Sequence, residues 1–187
     1  MSVYNDVYDK LQLAGALGVI PTDTVYGVVV RASDATAVAR LYDVKEREHK
    51  PGTIIAASIE QLESLGLKRR YLTAVSQFWP DAVSVIIPCG PELDYLHQGK
   101  LSLAVRIPGN TELRQLLEQT GPLLTSSANH PGQPTAVTVG QAKSYFNNNV
   151  DFYIDGGDLS NQEPSTIIRI IDDEIEVIRQ GAAIINL

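Results

Sequence analysis

The sequence predicts a single α/β domain, residues 1–187, built on a twisted, mixed β-sheet flanked by helices. Three observations carry that expectation. The chain has 187 residues, of which 44% are hydrophobic, enough for one full core and too few for two roomy ones. Segments with helical spacing alternate with short apolar runs through most of the chain, as α/β folds require. The C-terminal part holds two strand-like runs separated by Asp172-Asp173, the pattern of a hairpin.

The elements follow in order. Residues 3–17 carry apolar positions at three- and four-residue spacings and run into Gly18, which predicts a helix with a glycine stop. Gly18-Val19-Ile20 reads as a strand feeding the Pro21–Gly27 loop. Asp34 precedes Ala35–Lys45, where Val38, Leu41 and Tyr42 share a face, and its carboxylate can accept the orphan amides of the first turn. Thr53–Ala57 is a continuous run suited to a buried strand. Ser58-Ile59-Glu60-Gln61 is a capping box opening a short helix. Arg69–Trp79 predicts a helix closed by Pro80. Val83–Ile87 and Leu101–Ile107 read as strands, and Thr111–Gln119 as a helix ended by Gly121-Pro122. Leu123-Leu124-Thr125 is a short strand that empties into Ser126-Ser127-Ala128-Asn129. Thr138-Val139-Gly140-Gln141 is a second capping box, with its helix running to about Phe146. Phe152–Asp155 reads as a strand, and Thr166–Ile171 with Glu174–Arg179 as the hairpin.

Composition narrows the function classes. Lys plus Arg number 15 against 22 Asp plus Glu, a formal charge of −7. An acidic surface repels nucleic acid and anionic membranes, so contact with RNA is expected to be local. Cys89 is the only cysteine, which excludes an intrachain disulfide and fits a reducing compartment. The N-terminus shows no basic stretch before an apolar run, and no apolar run approaches the roughly 20 residues that span a bilayer. The expectation is a cytoplasmic protein with no membrane partner.

Three polar segments stand out. Thr22, Asp23 and Thr24 follow an apolar strand, where ligands gather in open α/β sheets; Pro, Thr and Asp also simply favour turns. Lys45, Arg47 and Lys50 place three cations within six residues, suited to a triphosphate or carboxylate; cations also sit at helix C-termini for the macrodipole alone. Thr125–Asn129 offers hydroxyls and amides to phosphate or ribose, or caps the next element. Arg106 ends an otherwise apolar strand, where a cation needs an anionic partner, either a ligand carboxylate or an internal acid. Arg179 ends the last strand, just before Gly181, and in isolation reads as an ordinary exposed strand end. No G-x-x-x-x-G-K-[ST] and no G-x-G-x-x-G is present, so a nucleotide would not be held by a P-loop. His49, His97 and His130 lack metal-ligand spacing, and no G-x-S-x-G elbow makes Ser126 or Ser127 a nucleophile.

Read in order, Pro21–Gly27, Lys45-x-Arg47 with Lys50-Pro51, Phe78-Trp79-Pro80 and Ala104–Pro108 form a pattern. Ser126–Asn129, Asp155-Gly156-Gly157, Pro164-Ser165-Thr166 and Arg179-x-Gly181 complete it. This set resembles the YrdC-like family of L-threonylcarbamoyladenylate synthases. The resemblance implies a twisted α/β sheet with a large concave, electropositive cavity. It implies an enzyme, a nucleotidyltransferase that joins L-threonine, bicarbonate or CO2 and ATP into L-threonylcarbamoyl-AMP and pyrophosphate, with magnesium riding on the ATP. The product would serve modification of adenosine 37 in tRNAs reading ANN codons, with tRNA and a downstream threonylcarbamoyl-transferase machinery as partners. By the same resemblance Thr24, Arg106, Thr125 and Ser165 would bind threonine. Lys45 and Arg47 would be catalytic, and Arg47, Lys50, Ser102, Ser127, Asn129, Thr135 and Arg179 would bind ATP. The chain departs from the family pattern in four places. Arg47-Glu48-His49-Lys50 lacks the usual proline and is one residue shorter, Asp81-Ala82-Val83-Ser84 stands for Gly-Pro-Leu-Thr, Gln180 stands between Arg179 and Gly181 where proline is commoner, and Ile55 falls where some members place a histidine near the threonine. Two rival readings are an RNA-binding module using a basic cavity without chemistry, and a carbamoyl-transferring paralogue.

Overall fold

The computed structural model describes residues 2–46, 49–172 and 174–185. The strands are β1 (Gly18–Pro21), β2 (Tyr26–Arg31), β3 (Thr53–Ile55), β4 (Val83–Pro88), β5 (Ser102–Arg106), β6 (Leu123–Ser127), β7 (Phe152–Tyr153), β8 (Thr166–Ile171) and β9 (Glu174–Arg179). They form one sheet in the order β7-β1-β2-β6-β3-β5-β4-β8-β9. It is mixed: β1/β7, β3/β5 and β4/β8 run parallel and the other pairs antiparallel. The helices are α1 (Val7–Leu11), α2 (Ala35–Val44), α3 (Ile59–Leu65), α4 (Arg69–Ala74), α5 (Asp94–His97), α6 (Thr111–Thr120) and α7 (Val139–Phe146).

Alternation along the strands divides the core. Val28, Val30, Ile54, Val85, Val105 and Leu124 point to one face and join a large cluster with Leu41 of α2, Leu62 of α3, Leu72 of α4 and Phe146 of α7. Ile20, Val29, Ile55 and Leu123 point to the other face, where they meet Val7 and Leu11 of α1 and Leu113, Leu116 and Leu117 of α6. This second cluster is far smaller and draws on no residue of β4, β5, β8 or β9. Part of the second face is therefore left uncovered by helices, and there the site lies.

The caps act as their sequences predict. Asp34 accepts from Ala37 N (3.0 Å), Ser58 from Gln61 N (3.3 Å) and Thr138 from Gln141 N (3.3 Å). In both boxes the glutamine returns one residue further out than the N-cap, to Ala57 N and Val137 N.

Three expectations need correction. The helix over 3–17 shrinks to Val7–Leu11, because tertiary partners take the amides beyond it: Asp34 accepts from Gly15 N (2.7 Å) and Asp151 from Leu17 N (2.8 Å). Gly18 opens β1, as the strand reading of Gly18-Val19-Ile20 has it, and does not stop a helix; a Cβ there would lie 2.1 Å from the Phe152 ring. The helix over 69–79 ends at Ala74 and tightens into a 3-10 turn at Ser76–Phe78, consistent with the bar on helical geometry before Pro80. A strand at Tyr26–Arg31 was not expected at all. It pairs with β1 through a tight turn in which Thr22 N and Oγ1 both donate to Val25 O. Among the described residues no helix is long and apolar enough to cross a membrane.

Candidate active site

The uncovered part of the sheet forms a cavity of about 380 Å³. Its floor is the face that alternation assigns to Thr53, Ile86, Ser102, Ala104, Arg106, Thr125, Ser127 and Ile167. Register brings these positions side by side: Thr53 lies opposite Thr125 and Ala104, and Ala104 opposite Ile86. The β1–β2 turn closes one side with Thr22 and Thr24, and Pro164, Ser165 and Arg179 close the other. Thr22 Oγ1 lies 3.1 Å from Thr24 Oγ1, so the turn is at once a hairpin and a cavity wall.

Backbone approach around Thr125 is very close. A Cβ at Gly27 would sit 2.5 Å from Thr125 Oγ1, and one at Gly52 would sit 2.6 Å from Thr125 O. Gly181 plays the same part across the cavity, where a Cβ would lie 2.1 Å from Pro164 O. These glycines let neighbouring backbone press against the segments that present Thr125 and Ser165.

The charge of the cavity opposes that of the chain. Lys100, Arg106 and Arg179 line it, and none of its described lining residues is Asp or Glu. Arg106 is 3% exposed. Its Nη2 donates to Asp23 Oδ1 (2.9 Å) and its Nη1 to Ser84 Oγ (3.1 Å), while Nε has no protein partner. Both alternatives for a buried arginine are thus present: an internal acid behind it and an open cavity beside it. Arg179 donates to Ser165 O through Nε (3.2 Å) and Nη2 (2.7 Å).

The predicted residues divide as follows. Thr24, Ser102, Arg106, Thr125, Ser127, Ser165 and Arg179 converge on the cavity. Asn129 and Lys45 stand one step behind it. Ser127 Oγ donates to Asn129 Oδ1 (2.7 Å), and Lys45 Nζ donates to Ser127 O (2.6 Å), Asn129 Oδ1 (3.0 Å) and Asn129 O. Lys45 is 3% exposed, and in this structure its ammonium anchors the Ser127–Asn129 segment. Thr135 is outside the lining, on the stretch that returns along Ala128 through Ala136 N to Ala128 O (2.9 Å). Lys50 is exposed and lines a neighbouring hollow with Glu46 and His49. Arg47 lies outside the described residues. Sequence reasoning missed Thr53, Lys100 and Ser84. Thr53 and Ser84 are single hydroxyls inside apolar runs, a faint signal; Lys100 carried none. Among the described residues no group of three or more His, Cys, Asp or Glu comes together to hold a metal. Cys89 is outside the cavity, and burial pushes its thiol up to about 11.

The Sua5/YciO/YrdC family model, described as telomere recombination, matches residues 10–181. A protein of Mycobacterium tuberculosis is 34% identical over 172 residues, covering 90% of this chain and 79% of the relative. The threonylcarbamoyl-AMP synthase of Klebsiella pneumoniae is 34% identical over 168 residues, covering 86% and 87%. The P. abyssi Sua5 crystal structure complexed with L-threonine superposes with a TM-score of 0.81 at 28% identity, over 94% of this chain. This chain spans 53% of that longer protein. With the family's model matched over nearly the whole sequence and its fold reproduced, the chain belongs to the Sua5/YciO/YrdC family.

Proposed function

We infer that this chain is an enzyme, a threonylcarbamoyl-AMP synthase. The observation that carries the reading is a cavity whose described lining holds three cations and no acid in a chain of net charge −7. Its reaction needs just that: a site for a zwitterionic amino acid beside a polyanionic nucleotide. The threonine carboxylate would meet Arg106, whose Nε is unpaired, with hydroxyls of Thr24, Thr125 and Ser165 around it. The threonine amine adds to CO2 and gives up a proton to form a carbamate. A carbamate oxygen then attacks the α-phosphorus of ATP, and pyrophosphate leaves with the electron pair of the broken P–O bond. No protein nucleophile enters, so the contribution of the fold is alignment and stabilisation of charge.

The nucleotide would lie along Ser102, Ser127 and Arg179, with Asn129 and Thr135 supporting its loop. Lys45 would hold that loop, and Arg47 and Lys50 would bring charge to the phosphates from the adjoining segment. Magnesium would arrive on the triphosphate and share its charge. The product would pass to a transferase acting on tRNA, and the work would be cytoplasmic. The test is direct. Purified protein with magnesium should release pyrophosphate only when ATP, threonine and bicarbonate are all present, with a product of the mass of threonylcarbamoyl-AMP. No release with all three would refute the reading.

A further inference from the structure

Ser84 does not line the cavity, yet it sits at the centre of the polar chemistry beneath it. It is fully buried on β4, on the same face as Ile86. Its Oγ accepts from Arg106 Nη1 (3.1 Å) and donates to Ser165 Oγ (3.0 Å). Ser165 Oγ also accepts from Arg179 Nη2 (3.3 Å). At the other end Asp23 Oδ1 accepts from Arg106 Nη2 (2.9 Å). The contacts form one unbroken chain from Asp23 through Arg106, Ser84 and Ser165 to Arg179.

A serine hydroxyl has one proton and two lone pairs. The proton of Ser84 is committed to Ser165. Both lone pairs of Ser165 Oγ then receive donors, from Ser84 and Arg179. That leaves the Ser165 proton to be given away, and Ser165 lines the cavity. Ser84 thereby fixes Ser165 as a donor toward an anionic group while it steadies Arg106. Hydrogen bonds linked in this way polarise one another, so a ligand that draws on Arg106 and one that draws on Arg179 act on the same hydroxyl pair.

We propose that Ser84 is a positioning residue that couples the amino-acid subsite at Arg106 to the nucleotide subsite at Arg179. The proposal rests on the functional reading above, which assigns those two subsites. Energetic coupling of this kind is reciprocal, and it is measured as the factor by which one ligand changes the affinity for the other.

The test is isothermal titration of threonine into the protein, with and without a non-hydrolysable ATP analogue. Wild-type protein should bind threonine about tenfold tighter once the analogue is bound. Ser84→Ala should bind the analogue alone as wild type does, bind threonine alone about tenfold more weakly, and show a coupling factor near one. A merely structural loss would lower both affinities and leave the factor unchanged. Ser84→Ala with wild-type threonine affinity and coupling overturns the proposal, as does wild-type protein that binds threonine with no effect of nucleotide. Wild-type protein that binds no threonine under either condition overturns the functional reading itself. If Ser84→Ala fails to fold, Ser84→Cys, which keeps the volume and a weak donor, carries the test. Its factor should lie between one and the wild-type value, and a factor equal to the wild-type value overturns the proposal.

Discussion

Arg106 and Asp23 form an ion pair with side-chain exposures of 3% and 5%. Pairs this buried contribute little net stability, but removing one partner leaves an uncompensated charge. Arg106→Ala should therefore destabilise the fold by about 3–5 kcal/mol as well as abolish threonine binding. The double variant Asp23→Ala/Arg106→Ala should recover part of the stability and none of the binding. Urea unfolding of the three proteins checks this, and equal stability of wild type and Arg106→Ala would remove the pair from the account. The sequence marked Arg106 because a cation in the strand Ser102–Arg106 requires an anion. It could not say which anion, since Asp23 is 83 positions away and only sheet pairing brings the two together.

At the next scale, a single irregularity re-aims the last strand. In the β8–β9 pairing Ile168 lies opposite Val177 and Ile167 opposite Arg179, so Ile178 is an extra residue, a bulge. Strict alternation would turn Arg179 to the same face as Val177, which packs against the core. The bulge instead leaves Ile178 and Arg179 both on the cavity, a use of bulges that recurs beside functional sites. Deletion of Ile178 should remove the bulge yet keep Arg179 opposite Ile167 and facing the cavity, because it would then follow Val177 directly, so nucleotide binding should stay within about threefold of wild type. A loss of about tenfold or more in a folded deletion variant would count against this account of the bulge. The cap of α2 makes a second prediction. Amides of Ala37 and Gly15 hold the Asp34 carboxyl below the usual range. A lowered carboxyl contributes its stability above the ordinary carboxylate value and loses it as pH falls through the lowered one. Asp34→Ala should cost about 1 kcal/mol at neutral pH, and the gap to wild type should close below about pH 4. Thermal melting across that range tests both parts.

For the molecule as a whole, the site exists because α1 and α6 cover only part of one sheet face. Ligands that fill the remaining part stabilise the folded state by mass action. Threonine at about 100 times its dissociation constant should raise the unfolding free energy by roughly 2.7 kcal/mol, read as a shift in melting temperature; no shift would contradict the proposed amino-acid subsite. The element order was legible in the chain because caps and periodicities are local. Asp34, Ser58 and Thr138 each announce a helix within four residues, and each caps one. The failures were also physical. Residues 12–17 have helical spacing, but Asp34 and Asp151 take the amides of Gly15 and Leu17 from afar. Tyr26–Arg31 lay hidden behind the turn that precedes it. By itself the sequence determined the α/β class, the family pattern and most of the polar residues that meet in the cavity, since residue type and spacing are written along the chain. Only the tertiary structure decided that Lys45 turns inward, that Lys100 turns toward the site and that Ser84 joins Arg106 to Ser165. Those outcomes depend on which strands lie side by side, and pairing between distant segments leaves almost no trace in local composition.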